Sequence, residues 1–76
     1  MKKLYTSTVC PYCDKVKNYI NTNKISGIEI VNISESIEDR DYLIENGGKL
    51  QVPCLYADNK YIYESNDIVK YLQENF

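Results

Sequence analysis

Two cysteines separated by two residues, in the segment Cys10-Pro11-Tyr12-Cys13, constrain this chain more than any other feature. Two thiols held one helical turn apart can exchange electrons as a disulfide pair, so the segment predicts a redox enzyme. It follows a short strand-like run over residues 3–6 and opens a helix-patterned segment. A Cys-x-x-Cys between a strand and a helix is typical of a redox turn.

The length of 76 residues predicts one domain, residues 1–76, near the lower limit at which a hydrophobic core holds a fold unaided. Hydrophobic residues make up 43% and charged residues 26%, which is typical of a folded globular protein. The net charge of -2 comes from interspersed acidic and basic residues, without a basic stripe that would neutralise phosphates. We therefore expect no nucleic-acid partner.

The first residues carry two lysines but no apolar run of signal-peptide length, and no segment approaches membrane-spanning length. We therefore expect no membrane association and a cytoplasmic protein. A reducing compartment disfavours structural disulfides, and three cysteines cannot all pair within one chain. The cysteines are predicted to be catalytic or metal-binding.

The hydrophobic pattern predicts seven elements in the order βαβαββα, an α/β fold without internal repeats. The predicted strands cover residues 3–6, 28 to about 33, 52–57 and 60–63, and the predicted helices cover residues 11 to about 23, 37–46 and, after Ser65, about 66–76. In the first helix, Cys13, Val16 and Ile20 fall on one face.

Local signals mark the ends of these elements. Pro11 suits the first turn of a helix, and Ser36 with Asp39 predicts a capping box. Gly47-Gly48 predicts a left-handed helix end, and Asp58-Asn59 predicts the turn of a β-hairpin. Ser65 is predicted to cap the final helix.

Cys10 is predicted to be the attacking thiol. Only a thiolate attacks a disulfide, and free cysteine has a pKa of roughly 8.5, so a redox cysteine needs a stabilised anion. At the start of a helix, unpaired backbone N–H groups and the helix dipole provide that stabilisation. Cys13, one turn deeper, is predicted to be less exposed and to resolve the mixed disulfide. Tyr12 projects from the turn and can form one wall of a groove for a thiol-containing ligand.

Other interpretations of these features stay open at this point. The cysteine pair could be half of a zinc site, although this chain offers three cysteines and no histidine, or a buried structural pair. Pro53 could simply begin a strand, or it could be cis and expose the Val52 backbone for pairing with an extended peptide. Cys54 could be a small buried apolar residue or an alternative disulfide partner of Cys10.

The CPYC segment, the later Val52-Pro53 and the order βαβαββα together resemble the glutaredoxins over nearly the whole chain. The resemblance implies a thioredoxin-like fold, in its minimal glutaredoxin form, with a four-stranded mixed sheet packed between helices and a cis Pro53 facing the active cysteine. It implies a monomeric thiol-disulfide oxidoreductase that reduces protein disulfides or glutathione mixed disulfides. Glutathione would be the co-substrate, and no cofactor would be bound.

The resemblance also implies roles for individual residues. Cys10 is similar to the family's nucleophile and Cys13 to its resolving thiol. Val52, before Pro53, would pair through its backbone with the cysteinyl part of glutathione. The start of the last helix, Ser65-Asn66-Asp67, would bind the γ-glutamyl end.

Arg40 and Lys49 occupy positions at which the family's side chains can meet the glycine carboxylate of glutathione. For both residues, a solvated surface charge is the alternative.

The sequence departs from the glutaredoxin pattern at three places. The lysine commonly found before the first cysteine is Ser7, the usual Thr-Val-Pro begins with Gln51, and the usual Gly-Gly before the last helix is Tyr63-Glu64. Glu64-Ser65 instead resembles the glutathione-contacting pair of glutathione-transferase N-terminal domains.

Three other functions remain as alternatives. The chain could be a small redoxin that takes electrons from a thioredoxin reductase and passes them to an enzyme such as ribonucleotide reductase. It could carry an iron-sulfur cluster between two copies with the help of glutathione. It could also be a fragment of a glutathione transferase.

Overall fold

Seven elements follow one another in the predicted order βαβαββα, in a computed structural model that describes residues 2–76. They are β1 (Lys2–Thr6), α1 (Pro11–Thr22), β2 (Ile28–Asn32), α2 (Ile37–Gly47), β3 (Cys54–Ala57), β4 (Lys60–Ile62) and α3 (Ser65–Asn75). No helix within residues 2–76 is long and apolar enough to cross a bilayer.

The four strands form one sheet in the order β2-β1-β3-β4. Strand β1 pairs in parallel with β2 and antiparallel with β3, and β3 pairs antiparallel with β4. The predicted mixed sheet is therefore confirmed. Because β1 is a central strand, it carries the chain from the middle of the sheet directly to the cysteine segment.

Alternate residues of β1 face opposite sides of the sheet, since side chains alternate along a strand. Leu4 belongs to a core shared with α1 and α3, whereas Tyr5 belongs to a second core shared with α2. The buried members of the first core are Leu4, Val16, Ile20, Leu55, Ala57, Ile68 and Leu72, and those of the second are Tyr5, Val31, Ile33, Leu43 and Cys54. The sheet is thus packed between helices, as predicted.

Most of the predicted end signals are confirmed. The Ser36 hydroxyl accepts a hydrogen bond from the Asp39 backbone N–H at 3.3 Å, which caps α2. Gly48 ends the same helix with a φ of 91°, in the left-handed region that glycine enters without a steric penalty. Asp58 and Asn59 both have positive φ, 51° and 61°, in the turn between β3 and β4.

The strands differ from the predicted ones in their bounds, by one residue at the start of β1 and at the end of β4 and by two at the start of β3, and in the burial of β2. Strand β3 begins at Cys54 rather than at residue 52, because the Val52-Pro53 peptide bond is cis and the chain joins the sheet only after it. In β2, Ile30 is 45% exposed, while Val31 and Ile33 are the buried residues of this region. Strand β2 lies at the edge of the sheet, where the protein covers fewer of its side chains.

Candidate active site

Cys10 and Cys13 form a disulfide across the first turn of α1, with their Cα atoms 5.1 Å apart. Cys10 is the N-cap residue, in extended conformation, and Pro11 begins the helix. Cys10 is 8% exposed and Cys13 is 0% exposed, so the predicted difference in burial is confirmed. Of the two cysteines, Cys10 is the one that keeps some surface in contact with solvent.

The start of α1 favours negative charge on the Cys10 sulfur. The Cys13 backbone N–H donates a hydrogen bond to Cys10 Sγ at 3.1 Å. In the reduced protein the same donor and the positive end of the helix dipole would stabilise a thiolate, which is the nucleophilic form. Pro11 leaves no N–H of its own to satisfy at this position.

An open groove of about 410 Å³ contains Tyr12 of the cysteine segment in its wall. This volume lies within the range of small-molecule sites. The groove is lined by Tyr12, Gln51, Val52, Pro53, Tyr63, Glu64, Ser65 and Asn66. Helix α1, the segment before β3 and the start of α3 therefore converge beside the disulfide.

The structure brings together five of the residues predicted to bind substrate, namely Tyr12, Val52, Pro53, Ser65 and Asn66. The Val52-Pro53 bond is cis, in agreement with the second of the two interpretations of this proline. Pro53 is buried and Val52 is half-buried at the groove wall.

Three predicted binding residues do not line the groove. Asp67 is exposed in the first turn of α3, and Arg40 is exposed on α2. Lys49 lies outside the wall, with its Nζ 4.5 Å from the ring centre of Tyr63, which does line the groove.

The prediction that Ser65 caps the last helix is wrong. Glu64 is the N-cap residue and makes no side-chain capping bond, while Ser65 is the first helical residue. The helix starts one residue earlier than predicted because the Glu64 carbonyl already accepts the hydrogen bond from the Ile68 N–H, at 2.9 Å. Ser65 lines the groove from inside the first turn.

Gln51 and Tyr63 line the groove but were not predicted as binding residues, whereas Glu64 lines it together with Ser65, the pair that resembles the glutathione-contacting residues of transferase domains. Gln51 Nε2 donates to Glu64 Oε1 at 3.3 Å, which joins the segment before β3 to the start of α3. All three stand at the positions where the sequence departs from the glutaredoxin pattern. The departures from the glutaredoxin pattern were therefore the feature of the sequence that could have indicated these groove residues.

Cys54 lies in the core on the α2 face of the sheet and is 0% exposed. Burial raises the pKa of its thiol from 9.0 to about 12, although the neighbouring Tyr63 hydroxyl and the charge of Lys49 act in the opposite direction. Leu55, the next residue, faces the core shared with α1. Cys54 is thus a buried neutral thiol on the sheet face opposite α1, as the interpretation of a small apolar residue predicts.

Comparison with known proteins identifies the chain. The family model described as glutathione S-transferase, N-terminal domain, matches residues 4–76. Glutaredoxin 1 of Rickettsia prowazekii is 30% identical over 67 residues, an alignment that covers 86% of this chain and 70% of that protein. The chain belongs to the glutaredoxin family. The transferase-domain model describes a further family to which it belongs.

Two further similarities concern the family and the fold. Glutaredoxin 3 of Escherichia coli (strain K12) is 27% identical over 66 residues, covering 87% of this chain and 78% of that protein. The crystal structure of the thioredoxin-like protein BC3987 has a TM-score of 0.83 at 20% identity and covers 97% of each chain. The latter likeness confirms the thioredoxin-like fold.

Glutaredoxin homologues and the paired Cys10 and Cys13 identify the protein as a thiol-disulfide oxidoreductase. The observed disulfide is the oxidised form of such an enzyme. Its reduced form would present a more accessible Cys10 and a covered Cys13, the asymmetry that a two-step exchange requires.

Proposed function

We propose that this glutaredoxin reduces protein disulfides or glutathione mixed disulfides, with glutathione as the co-substrate. The observation that carries the proposal is the groove beside the Cys10–Cys13 pair, with Val52 and cis Pro53 on one side and the start of α3 on the other. Glutathione is an elongated ligand with a central thiol, and an open groove whose wall includes Tyr12 of the cysteine segment suits it.

The exchange proceeds in balanced steps. The Cys10 thiolate attacks the substrate disulfide, forms a mixed disulfide and releases one substrate thiol. Either Cys13 or a glutathione thiolate then attacks this bond. Where the mixed disulfide joins Cys10 to glutathione, attack by a second glutathione breaks that bond, forms oxidised glutathione and releases the Cys10 thiolate. Attack by Cys13 releases the second substrate thiol and closes the Cys10–Cys13 disulfide, which two molecules of glutathione reduce as they become oxidised glutathione.

The groove has groups that suit the charged end of glutathione. Backbone N–H groups at the start of α3 favour a carboxylate, and the Glu64 carboxylate favours an ammonium. We propose that the protein acts as a cytoplasmic monomer without a resident cofactor.

A second candidate function is a redoxin reduced by thioredoxin reductase. It is favoured by the composition of the groove wall: within residues 2–76, no lysine or arginine lines the groove, and Ser7 stands where glutaredoxins commonly have a lysine. A weaker hold on the carboxylates of glutathione would follow from this composition.

The two candidates are separated by the source of electrons. Reduction of a glutathionylated peptide is measured with glutathione and glutathione reductase and, separately, with thioredoxin reductase alone. We expect turnover in the first system and at most slow turnover in the second. Turnover only with thioredoxin reductase would refute the proposed function and establish the second one.

A further inference from the structure

Lys15 is held at the edge of the groove by a contact between two helices. Its Nζ donates a hydrogen bond to Asn66 Oδ1 at 2.6 Å, and Asn66 lines the groove. Lys15 follows Tyr12, another groove residue, by three positions in α1, so the two side chains share a face of that helix. The ammonium therefore stands where the helix of the cysteines meets the start of α3.

The groove has a negative charge, Glu64, in its wall and a positive charge, Lys15, at its edge. Glu64 is the charged residue among those that line it, and its carboxylate accepts a hydrogen bond from a neutral amide, that of Gln51. Lys15 places a positive charge beside Asn66. Asp67 follows Asn66 but is exposed and outside the wall, so solvent weakens its effect on the ammonium.

An ammonium group has three N–H donors, and the bond to Asn66 uses one of them. The remaining donors can serve a carboxylate that lies in the groove against Asn66. A ligand end with a carboxylate and an ammonium on the same carbon would complement Lys15 and Glu64 together. The γ-glutamyl end of glutathione has these two groups.

We propose that Lys15 binds the α-carboxylate of the γ-glutamyl end and is a specificity-determining residue of the groove. This inference rests on the proposed use of glutathione. Lys15 of α1 would supply the positive charge that is absent from the residues lining the groove.

The test compares three variants with the wild type. Lys15→Gln removes the charge, Lys15→Arg keeps it, and Lys17→Gln is the matched control. Lys17 lies on the same helix but pairs with Asp14 of that helix, at 3.4 Å. Circular dichroism confirms folding of each variant.

Two ligands are compared to measure the contribution of the α-carboxylate to binding. S-methylglutathione cannot react, and its analogue with a 4-aminobutyryl group in place of γ-glutamyl lacks only the α-carboxylate. Dissociation constants are measured by NMR titration, and KM and kcat are measured with a glutathionylated peptide.

We expect Lys15→Gln to raise both the dissociation constant of S-methylglutathione and KM about fivefold, a loss typical of a solvent-accessible charge pair, with little change in kcat. Lys15→Arg should recover most of the affinity, and Lys17→Gln should match the wild type. The analogue should bind the wild type and Lys15→Gln equally.

Two results overturn the inference. If the wild type turns over with glutathione but Lys15→Gln behaves like Lys17→Gln, the role of Lys15 is refuted and the proposed function stands. If the wild type neither binds S-methylglutathione nor turns over with glutathione, both proposals are refuted.

Discussion

At the scale of single residues, Cys10 and Cys13 have the same chemistry and different surroundings. Cys10 precedes the helix and keeps a small exposed surface, whereas Cys13 is fully covered by the first turn. The nucleophile must meet a bulky disulfide from solvent, but the resolving thiol only has to reach a sulfur three residues away. This difference in burial is what the proposed roles require, with Cys10 as nucleophile and Cys13 as resolving thiol.

Replacement of each cysteine by serine tests this separation. We expect Cys10→Ser to abolish reduction of all disulfide substrates, because no accessible thiolate remains to form the mixed disulfide. Cys13→Ser should retain reduction of a glutathionylated peptide, since a second glutathione can release the product from Cys10. Rates are measured in the glutathione-coupled assay.

Cys13→Ser should at the same time lose most of its activity on an intramolecular protein disulfide, whose release requires an internal second thiol. Equal activities of Cys10→Ser and the wild type on the glutathionylated peptide would contradict the assigned nucleophile.

At the scale of elements, the end of α2 and the segment after β4 contact each other at Gly47. A Cβ atom added at Gly47 would overlap the Tyr63 hydroxyl, which donates to the Lys49 carbonyl at 3.3 Å. Tyr63 also lines the groove. The absence of a side chain at Gly47 therefore lets the end of α2 approach the groove wall.

We predict that Gly47→Ala lowers the free energy of unfolding by about 1–3 kcal/mol, the usual cost of overpacking, as measured by urea denaturation. In a Tyr63→Phe background the overlapping oxygen is gone, so the same substitution should cost at least about 1 kcal/mol less.

Gly48→Ala is the matched control for this coupling. Gly48 has a φ of 91° with open space around it, so its substitution costs backbone strain that Tyr63→Phe should not relieve. Additive effects of Gly47→Ala and Tyr63→Phe would show that the overlap is relieved elsewhere.

The elements also show which features a sequence can predict. Pro11, Ser36 and Gly48 act on their own backbone, so these helix ends were predictable from local residue types. The exposure of Ile30 depends on what packs against the sheet edge, which the alternation of residues does not encode. The start of α3 differs by one residue from the prediction, because serine is a favoured N-cap type but the Glu64 carbonyl already accepts the first helical hydrogen bond, from the Ile68 N–H.

The candidate site shows the same division. The cysteine pair is a local motif and was predictable in full. The contacts of Gln51 with Glu64 and of Lys15 with Asn66 join residues far apart along the chain, so only the folded structure reveals them.

At the scale of the whole molecule, the two faces of the sheet are covered unequally. Helices α1 and α3 cover one face, whereas α2 alone covers the other, where tyrosines complete the core. Tyr56, Tyr61 and Tyr63 pack around the buried Tyr5 and Cys54, and the rings of Tyr56 and Tyr61 lie 4.8 Å apart. On the face covered by α2 alone, tyrosine rings thus supply the apolar surface that a second helix supplies on the other face. Their hydroxyl groups are buried as a result, and these groups ionise in alkaline solution.

This burial predicts a loss of stability at high pH. Burial raises the pKa of Tyr5 from 10.0 to about 12, with the nearby Tyr61 as the next cause, and raises the pKa of Cys54 from 9.0 to about 12. Both groups are neutral in the folded protein at pH values where the unfolded chain already ionises, so the unfolded state binds fewer protons. The stabilisation is complete below about pH 9 and is lost as the pH rises toward 12.

Urea denaturation of the protein between pH 7 and pH 11.5 measures this loss. We expect a constant free energy of unfolding up to about pH 9 and then a fall of about 1.4 kcal/mol per pH unit for each group that is ionised only in the unfolded chain. Tyr5→Phe removes one of these groups and should make the fall shallower above pH 10, with no change in its onset near pH 9, which Cys54 sets. An unchanged slope in Tyr5→Phe would mean that the tyrosine ionises equally in both states and that its hydroxyl is not desolvated by the α2 face.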